Sequence, residues 1–336
     1  MNSLELLKKI DSQGMYKVYD KWPEIARQYY EADFKSLDFD EITHVVFAGM
    51  GGSGTIGDIF SSILSKTNIH VEVVKGYLLP KTVDSKSLVV ATSVSGNTEE
   101  TLNVLDSASK IKCKIIAFSN GGKMEKICNQ KGLNYRKIPM EHSPRASFPA
   151  FLFSILKVLE SFLPIEKNDI INSFEELEKL RNKIASSNIS KENPAIELAK
   201  LISGVPLIYY PLGLQAAAIR FKNSLQENTK MHAITEDIIE SCHNGIVAWD
   251  KKTNVKPILI QGTNDYIKTK ERWKIIRDFF DLKNISYVEI NSIDSSIFSK
   301  LVNLIYLLDY STIYRAILSN IDPTPVNSID YIKSKI

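Results

Sequence analysis

The sequence is poor in cysteine and has no strong excess of either charge. Its 336 residues include three cysteines, 42 basic and 39 acidic residues, for a formal net charge of +3. Three cysteines without C-x-x-C spacing indicate neither a disulfide framework nor a zinc site, and they are typical of a reducing compartment. The balanced charge argues against a nucleic-acid-binding protein, which usually carries a clear basic excess. The composition otherwise predicts an ordinary globular protein.

The sequence also has no evident targeting or membrane-spanning segment. The N-terminal residues mix charged with apolar side chains, unlike a signal peptide. The most apolar stretch, residues 150–163, is interrupted by Lys157 and Glu160 and is too short to cross a bilayer. We therefore expect a cytoplasmic protein that does not contact membranes.

Short β-rich runs alternate with helical patterns along most of the chain, which predicts parallel βαβ units. Strands are predicted at residues 43–48, 70–74, 87–92, 114–118, 205–210, 257–261 and 286–290. We expect an α/β fold with two doubly wound subdomains, each with a parallel β-sheet flanked by helices. The predicted division is an N-terminal helical segment at 1–40, a first subdomain at 41–160, connecting helices at 161–195, and a second subdomain with a C-terminal helix at 196–336.

The last residues carry signals for the start of a helix. Thr324 can cap it, and Pro325 suits its first position because proline has a fixed φ and no N–H to leave unbonded. An apolar stripe then predicts a helix docked on the body of the protein, with Lys333 beside the stripe; its residues are Val326, Ile329, Ile332 and Ile336.

A glycine-rich segment, GMGGSG at residues 49–54, follows the first predicted strand and precedes a helix. Such a turn lets the backbone approach a ligand, and the helix N-terminus favours an anion. A dinucleotide-binding fingerprint would also fit, but it requires an acidic residue at the end of the next strand. Glu72 lies within that strand instead. A tight turn without a ligand is the third reading.

A second segment, TSVSGNTEE at residues 92–100, occupies the same place after a later predicted strand. Its hydroxyl and backbone N–H groups can surround a phosphate dianion without long cationic side chains. A helix-capping box would account for Asn97 or Thr98 with the glutamates that follow. Capping does not account for Ser93 and Ser95.

Further segments follow in the order PRASFPA, RFKNSLQENTK, CHNGIVAW and DPTPVNSIDYIK. The ordered set resembles the archaeal and bacterial bifunctional phosphoglucose/phosphomannose isomerases, which belong to the sugar isomerase (SIS) domain superfamily. The resemblance extends from about residue 45 to the C-terminus. It implies two SIS-type subdomains and a homodimer with shared active sites, in which His243 reaches the partner's pocket.

The resemblance also assigns roles to residues. It implies that substrate is bound by Gly52, Ser53, Ser93, Ser95 and Thr98. It implies that Arg145 is an active-site arginine, Glu227 the catalytic base, and His243 and Lys333 the ring-opening groups. Read without the resemblance, these four would be a loop cation, a solvated glutamate near a helix end, a structural histidine and a last-turn lysine. Many relatives are expected to have an acidic residue after His-Asn, where this chain has Gly245.

The implied reaction converts an aldose 6-phosphate to a ketose 6-phosphate after ring opening. Glu227 moves a proton between C2 and C1 through an enediolate that Arg145 stabilises. The reaction needs no metal or cofactor, and the five histidines are scattered along the sequence.

Other functions are alternatives to this reaction. A sugar-phosphate-binding regulator would usually carry a DNA-binding domain first. An amidotransferase would need a glutaminase domain, and a zinc-dependent heptose-phosphate isomerase would need clustered ligands. A nicotinamide-dependent dehydrogenase is the alternative outside the superfamily.

Overall fold

The computed structural model describes residues 3–34, 37, 39–189 and 192–335, which form two compact units. Lys21–Phe174 form the first-sheet unit. The residues up to Asp20, together with those from Glu175 onward, form the second-sheet unit. The N-terminal helices are therefore divided between the units.

Both sheets are built from parallel strands separated by helices. The strands are β1 (His44–Ala48), β2 (His70–Val74), β3 (Ser87–Thr92), β4 (Lys114–Ser119), β5 (Asn134–Lys137), β6 (Val205–Tyr210), β7 (Ile234–Asp237), β8 (Val255–Gln261) and β9 (Val288–Asn291). The α-helices are α1 (Ser3–Ile10), α2 (Tyr16–Asp20), α3 (Trp22–Tyr30), α4 (Gly52–Leu64), α5 (Glu99–Ala108), α6 (Gly122–Lys131), α7 (Phe148–Leu159), α8 (Lys167–Ile184), α9 (Pro194–Leu201), α10 (Gln215–Ser224), α11 (Ile238–Ser241), α12 (Ile267–Leu282), α13 (Ile297–Leu318) and α14 (Asn327–Lys333). A π-helix covers Leu225–Thr229, and 3₁₀ turns cover Ser186–Asn188 and Gly245–Asp250.

The first sheet has five strands in the order β2-β1-β3-β4-β5, all parallel. Alternate residues of β1 face opposite sides. Val46 and Ala48 pack in the core cluster that contains residues of α5 and α6, whereas Phe47 stacks on Phe60 of α4. Right-handed crossovers produce this arrangement when the strand order reverses between β1 and β3. The α/β, doubly wound prediction is confirmed.

The second sheet has four parallel strands in the order β7-β6-β8-β9. One of its faces buries an aromatic cluster in which Trp249 and Phe280 meet edge to face, and the Trp249 indole donates to the Tyr209 hydroxyl at 2.9 Å. The strand order again reverses at its first strand, since β6 lies between β7 and β8. The second sheet therefore shows the same reversal of strand order as the first sheet, with one strand fewer.

Helix α13 is the central element of the second-sheet unit. By length and composition alone it could cross a membrane, with a mean hydropathy of 1.2. However, 83% of the tested window is buried in the protein, as in the core helix of a globular fold. Its tyrosines also hold the N-terminal segment, since Tyr306 donates to the Tyr19 carbonyl and Tyr310 to the Asp20 carboxylate, each at 2.6 Å. These bonds account for the place of residues 3–20 in this unit.

Candidate active site

The two segments singled out in the sequence meet at one edge of the first sheet. Strands β1 and β3 are adjacent and parallel, so the segments that follow them leave from the same edge. A Cβ atom at Gly49 would lie 2.9 Å from Cβ of Ser53 and 3.0 Å from the Thr92 carbonyl oxygen. Only glycine permits this contact between the two segments. Ligands of open α/β sheets bind where the strand order reverses, which is here.

The first segment leads into helix α4, which begins at Gly52. Its N-cap residue, Gly51, has φ 54°, a left-handed conformation that glycine adopts without strain. No side chain caps the helix, and a Cβ at Gly51 would meet open space. Gly52 and Ser53 therefore lie in an uncapped first turn, where the helix dipole favours an anion.

The second segment, residues 93–98, is a loop with internal hydrogen bonds. The buried Ser93 hydroxyl accepts from the Gly96 N–H at 3.1 Å and shares a 2.8 Å bond with the Thr98 hydroxyl. Ser95 is exposed, and its hydroxyl accepts from the Asn97 N–H at 3.3 Å. Ser93 thus shapes the loop from inside, while Ser95 lies at its surface and Thr98 is half-buried at the N-cap of α5.

The turn between β4 and α6 supports this loop from behind. The Asn97 side-chain oxygen accepts from the Lys123 N–H at 3.0 Å, and the Gly96 carbonyl accepts from the Met124 N–H at 2.9 Å. Gly96 has φ 67°, and a Cβ there would lie 1.8 Å from the Gly121 carbonyl oxygen. The sequence predictions did not include this turn. Its signal in the sequence is the pair Gly121-Gly122, three residues beyond the end of the strand predicted at 114–118.

Arg145 lies in the turn before α7 and is only 6% exposed. Ser147 stabilises the turn, since its hydroxyl donates to the Ser143 carbonyl at 2.8 Å and its N–H donates to the same carbonyl at 2.9 Å. An arginine side chain is rarely buried unless it is paired. Arg145 therefore occupies a buried position in a hydrogen-bonded turn, unlike a cation on a surface loop.

In the second-sheet unit, Glu227 lies in the π-helix that directly continues α10. The helical segment that begins at Gln215 therefore changes from α to π before it ends at Thr229. The segment closes at Lys230, which has φ 58°, and the Thr229 hydroxyl donates to the Leu225 carbonyl. Glu227 is half-buried. Single-turn π segments occur frequently at functional sites.

A buried ionic network fixes the junction of α10 and the π-helix against α13. Arg220 donates two hydrogen bonds to the Asp309 carboxylate, at 2.9 and 2.7 Å, and Ser224 donates to it at 2.6 Å. The Asn228 amide donates to the Thr312 hydroxyl at 2.8 Å. Burial, the largest single cause, lowers the pKa of Arg220, but the charge and hydrogen bonds of Asp309, with smaller contributions from Tyr19 and Glu227, together raise it above its usual value, so Arg220 stays ionised.

The Lys230 ammonium joins the π-helix to the C-terminal segment. It donates to the carbonyls of Glu227, Pro323 and Pro325. Helix α14 starts at Asn327 with Val326 as N-cap, and not at Pro325 as predicted.

The predicted docking of α14 is also wrong for the described part of the helix. No residue of α14 is buried; Ile332 is 59% exposed, and Lys333 is exposed. Ile336, the last residue of the predicted stripe, lies outside the described residues. The apolar period indicated a face that a helix can bury, but it did not say which surface would cover that face.

His243 is exposed in the turn after the four-residue helix α11. The turn is held by Asn244, whose side chain donates to the Glu240 carboxylate at 2.8 Å and accepts from the Gly245 N–H. A Cβ at Gly245 would lie 2.3 Å from one carboxylate oxygen of Glu236. The chain thus lacks an acidic side chain at position 245, and the Glu236 carboxylate fills that space from β7.

The first-sheet unit therefore brings together Gly52, Ser53 and the residues of the second loop, and it also contains Arg145. The second-sheet unit contains Glu227, His243 and Lys333 on three separate elements. A cavity of about 410 Å³ in the first-sheet unit lies among residues at the amino ends of β3, β4 and β5, at the opposite edge from these loops.

Comparisons with known proteins identify both parts of the chain as SIS domains. The SIS domain family matches residues 39–161, and the bacterial phospho-glucose isomerase C-terminal SIS domain family matches residues 191–336. The fold resembles the C-terminal domain of glucosamine-fructose-6-phosphate aminotransferase from Francisella tularensis, with a TM-score of 0.65, 16% identity and coverage of 90% of this chain and 96% of that one.

Two curated relatives show which SIS proteins this chain is similar to. A bifunctional phosphoglucose/phosphomannose isomerase from Caldicellulosiruptor bescii is 32% identical over 96% of this chain and 98% of its own length. A D-glucosamine-6-phosphate 4-epimerase from Sulfolobus acidocaldarius is 29% identical over 75% of this chain and 78% of its own length. The chain belongs to the bifunctional phosphoglucose/phosphomannose isomerase family.

Proposed function

We propose that this chain interconverts glucose 6-phosphate and mannose 6-phosphate with fructose 6-phosphate, through a cis-enediolate and without a metal ion. The observation that carries the proposal is the loop at residues 93–98. It is fixed from inside by Ser93 and presents hydroxyl and N–H groups at the point where the strand order reverses. The similarity to the bifunctional phosphoglucose/phosphomannose isomerase from Caldicellulosiruptor bescii, which covers 96% of this chain, supports the reaction type.

The proposed roles follow from the chemistry of each side chain. Ser53, Ser95 and Thr98, with the N–H groups of the α4 turn that begins at Gly52, hold the phosphate. The half-buried carboxylate of Glu227 transfers the proton between C2 and C1. Its place beside a buried ionic network gives it a fixed backbone, as a base needs for a near-attack geometry.

The remaining three groups act on the sugar oxygens. His243 and Lys333 open the ring by protonating the ring oxygen and accepting the C1 hydroxyl proton. Arg145 stabilises the negative charge of the enediolate, a contribution worth about 3 to 4 kcal/mol for one well-placed donor. Protonation of either face at C2 yields the glucose or the mannose epimer.

A coupled assay in the presence of EDTA tests the reaction. We expect fructose 6-phosphate from both aldose phosphates, and solvent deuterium at C2 of the recovered aldose because the proton passes through Glu227. Glucosamine 6-phosphate serves as the contrasting substrate, given the epimerase among the relatives. Epimerisation of this amino sugar without isomerisation of either aldose, or full loss of isomerisation on chelation, would overturn the proposal.

We also propose a cytoplasmic homodimer in which His243 completes the partner's site. The exposed His243 and its neighbour Val247, which is 66% exposed, support this arrangement, as does the uncovered apolar side of α14. The sugar phosphate is the substrate partner, and neither nucleic acid nor membrane is expected to bind.

Mixing two inactive variants tests the shared site. His243→Ala and Glu227→Gln chains that exchange subunits should recover activity, because one site of each heterodimer then holds an intact glutamate and an intact histidine. Demonstrated exchange without recovery would place both residues in the site of one chain.

A further inference from the structure

Two histidines that are far apart in the sequence come together at the amino ends of the first two strands. His44 begins β1 and His70 begins β2, and the parallel register pairs them directly. Their ring centroids are 4.8 Å apart. Glu72 lies two residues beyond His70, so it shares the same face of β2. One potential ligand atom from each of the three side chains lies within 4.8 Å of the others.

Hydrogen bonds fix the state of the His44 ring. The Ser87 hydroxyl donates its hydrogen to the Asp84 carboxylate at 3.0 Å, so towards His44 it can only accept. The His44 Nδ1 atom, 3.2 Å away, therefore carries the proton. Nε2 is left with a lone pair. His44 is 6% exposed, and its Nε2 atom has no hydrogen-bond partner within the described chain.

A buried acceptor without a partner is unfavourable unless a ligand satisfies it. His44 Nε2, with its lone pair, is the atom through which a neutral imidazole binds a metal ion.

We propose that His44 Nε2, His70 and Glu72 form a binding site for a divalent transition-metal ion of the zinc type. Two imidazoles and one carboxylate, with water in the fourth position, are a donor set that Zn²⁺ accepts. The Asp84–Ser87–His44 chain of hydrogen bonds is the outer support that metal-binding histidines usually have.

The required adjustment is small. Zinc–ligand bonds of about 2.1 Å place neighbouring tetrahedral ligand atoms about 3.4 Å apart, closer than the 4.8 Å limit of the cluster. His70 is exposed, so its side chain can rotate towards the fixed His44 ring without disturbing the core. The bound ion would cross-link the edge strand β2 and the inner strand β1, because both strands supply ligands.

The site lies at the amino ends of the strands, whereas the serine- and glycine-rich loops leave the carboxyl ends. The bound ion would therefore stabilise the first-sheet unit and take no part in the isomerisation. This inference is independent of the proposed function.

Metal titration of the untagged, chelator-treated protein tests the site. We expect calorimetry to show one tight Zn²⁺ per chain, and Co²⁺ to give the visible absorption of a tetrahedral site. Zn²⁺ should also raise the melting temperature, because it binds the folded chain. His70→Gln and Glu72→Gln are the variants of choice, since neither removes a buried side chain. Each should weaken binding at least about tenfold, and Ser87→Ala about 10- to 100-fold through loss of the outer support.

His232→Gln is the matched control, because this exposed histidine lies in the other unit. It should bind Zn²⁺ as the wild type does. Isomerase activity should be equal in zinc-free and zinc-loaded protein. The proposal is overturned if the wild type binds no Zn²⁺, or if His70→Gln and Glu72→Gln keep wild-type affinity and stoichiometry.

Discussion

The two units use polar groups in opposite ways around similar sheets. In the first-sheet unit, the loop at residues 93–98 is built from hydroxyls, amides and glycines, and its hydrogen bonds are largely local. In the second-sheet unit, the π-helix is fixed by a fully buried ion pair, with Arg220 2% and Asp309 0% exposed. The first-sheet unit thus presents neutral hydrogen-bond donors in a preformed loop. The second-sheet unit instead uses a buried ion pair to fix the helix that carries Glu227. Binding and proton transfer should be separable by mutation.

The variant Glu227→Gln should show the largest separation between substrate binding and proton transfer. Loss of a general base lowers the rate by about 10²- to 10⁴-fold, while the first-sheet loops still bind the phosphate. Steady-state kinetics and fructose 6-phosphate binding by calorimetry measure the two effects. Glu271→Gln, at an exposed helix position, is the control. Turnover of Glu227→Gln above a tenth of the wild-type rate would place the base elsewhere.

Asp309→Asn should cause the next largest effect, on stability. It leaves Arg220 buried without its counter-charge and removes the strong acceptor of Ser224, which typically costs about 3–5 kcal/mol. Denaturant unfolding measures the change. Lys268→Met removes one side of an exposed pair, and it should cost less than about 1 kcal/mol. Equal costs for the two variants would contradict the role given to buried charge.

Ser95→Ala combined with Thr98→Ala should act mainly on substrate affinity. Both positions are remote from C1 and C2 in the proposed arrangement, so KM should rise while kcat changes little. Ser107→Ala, later on the same helix α5, is the control. Unchanged affinity for a sugar-acid phosphate inhibitor would show that this loop does not bind the phosphate.

The smallest effect should be a pH-dependent one at Glu236. Burial raises the pKa of this carboxyl group, and nearby Glu240 adds to the rise. A group with a raised folded-state pKa stabilises the fold fully only at pH below its unfolded-state pKa, and this stabilisation is lost as the pH rises through the folded value. Glu236→Gln should therefore melt higher relative to the wild type at neutral pH than at acidic pH. A melting-temperature difference that does not change with pH would contradict the shift.

The sequence predicted most of the strands well but missed two strands that lie at sheet edges. Strands β2, β3 and β6 match their predicted limits, because β-branched and aromatic residues mark them. β5 and β7, with the sequences NYRK and ITED, were missed. Each lies at the end of its sheet, where polar and charged residues are common because one side of the strand is unpaired. Composition alone could not distinguish them from loops.

The candidate site was less predictable because its supports are distant in sequence. Motifs located the Ser95 and Glu227 segments, but nothing local indicates that Arg220 meets Asp309, 89 residues away. The same holds for His44 and His70, which the strand register brings together. The roles of Glu227, His243, Lys333 and Arg145 stay predictions, and the variants above test those of Glu227 and His243.

The π-helix at Leu225–Thr229 has a consequence for how insertions and deletions would act on this chain. A π-turn contains one residue more than an α-turn over nearly the same length. Deleting one residue from it would let α10 continue as a regular α-turn, so the residues beyond the turn would keep their direction while those inside it would shift. Glu227 would keep its chemistry but face a different direction. The direction in which the Glu227 carboxylate points thus depends on the number of residues in the turn as much as on their identity.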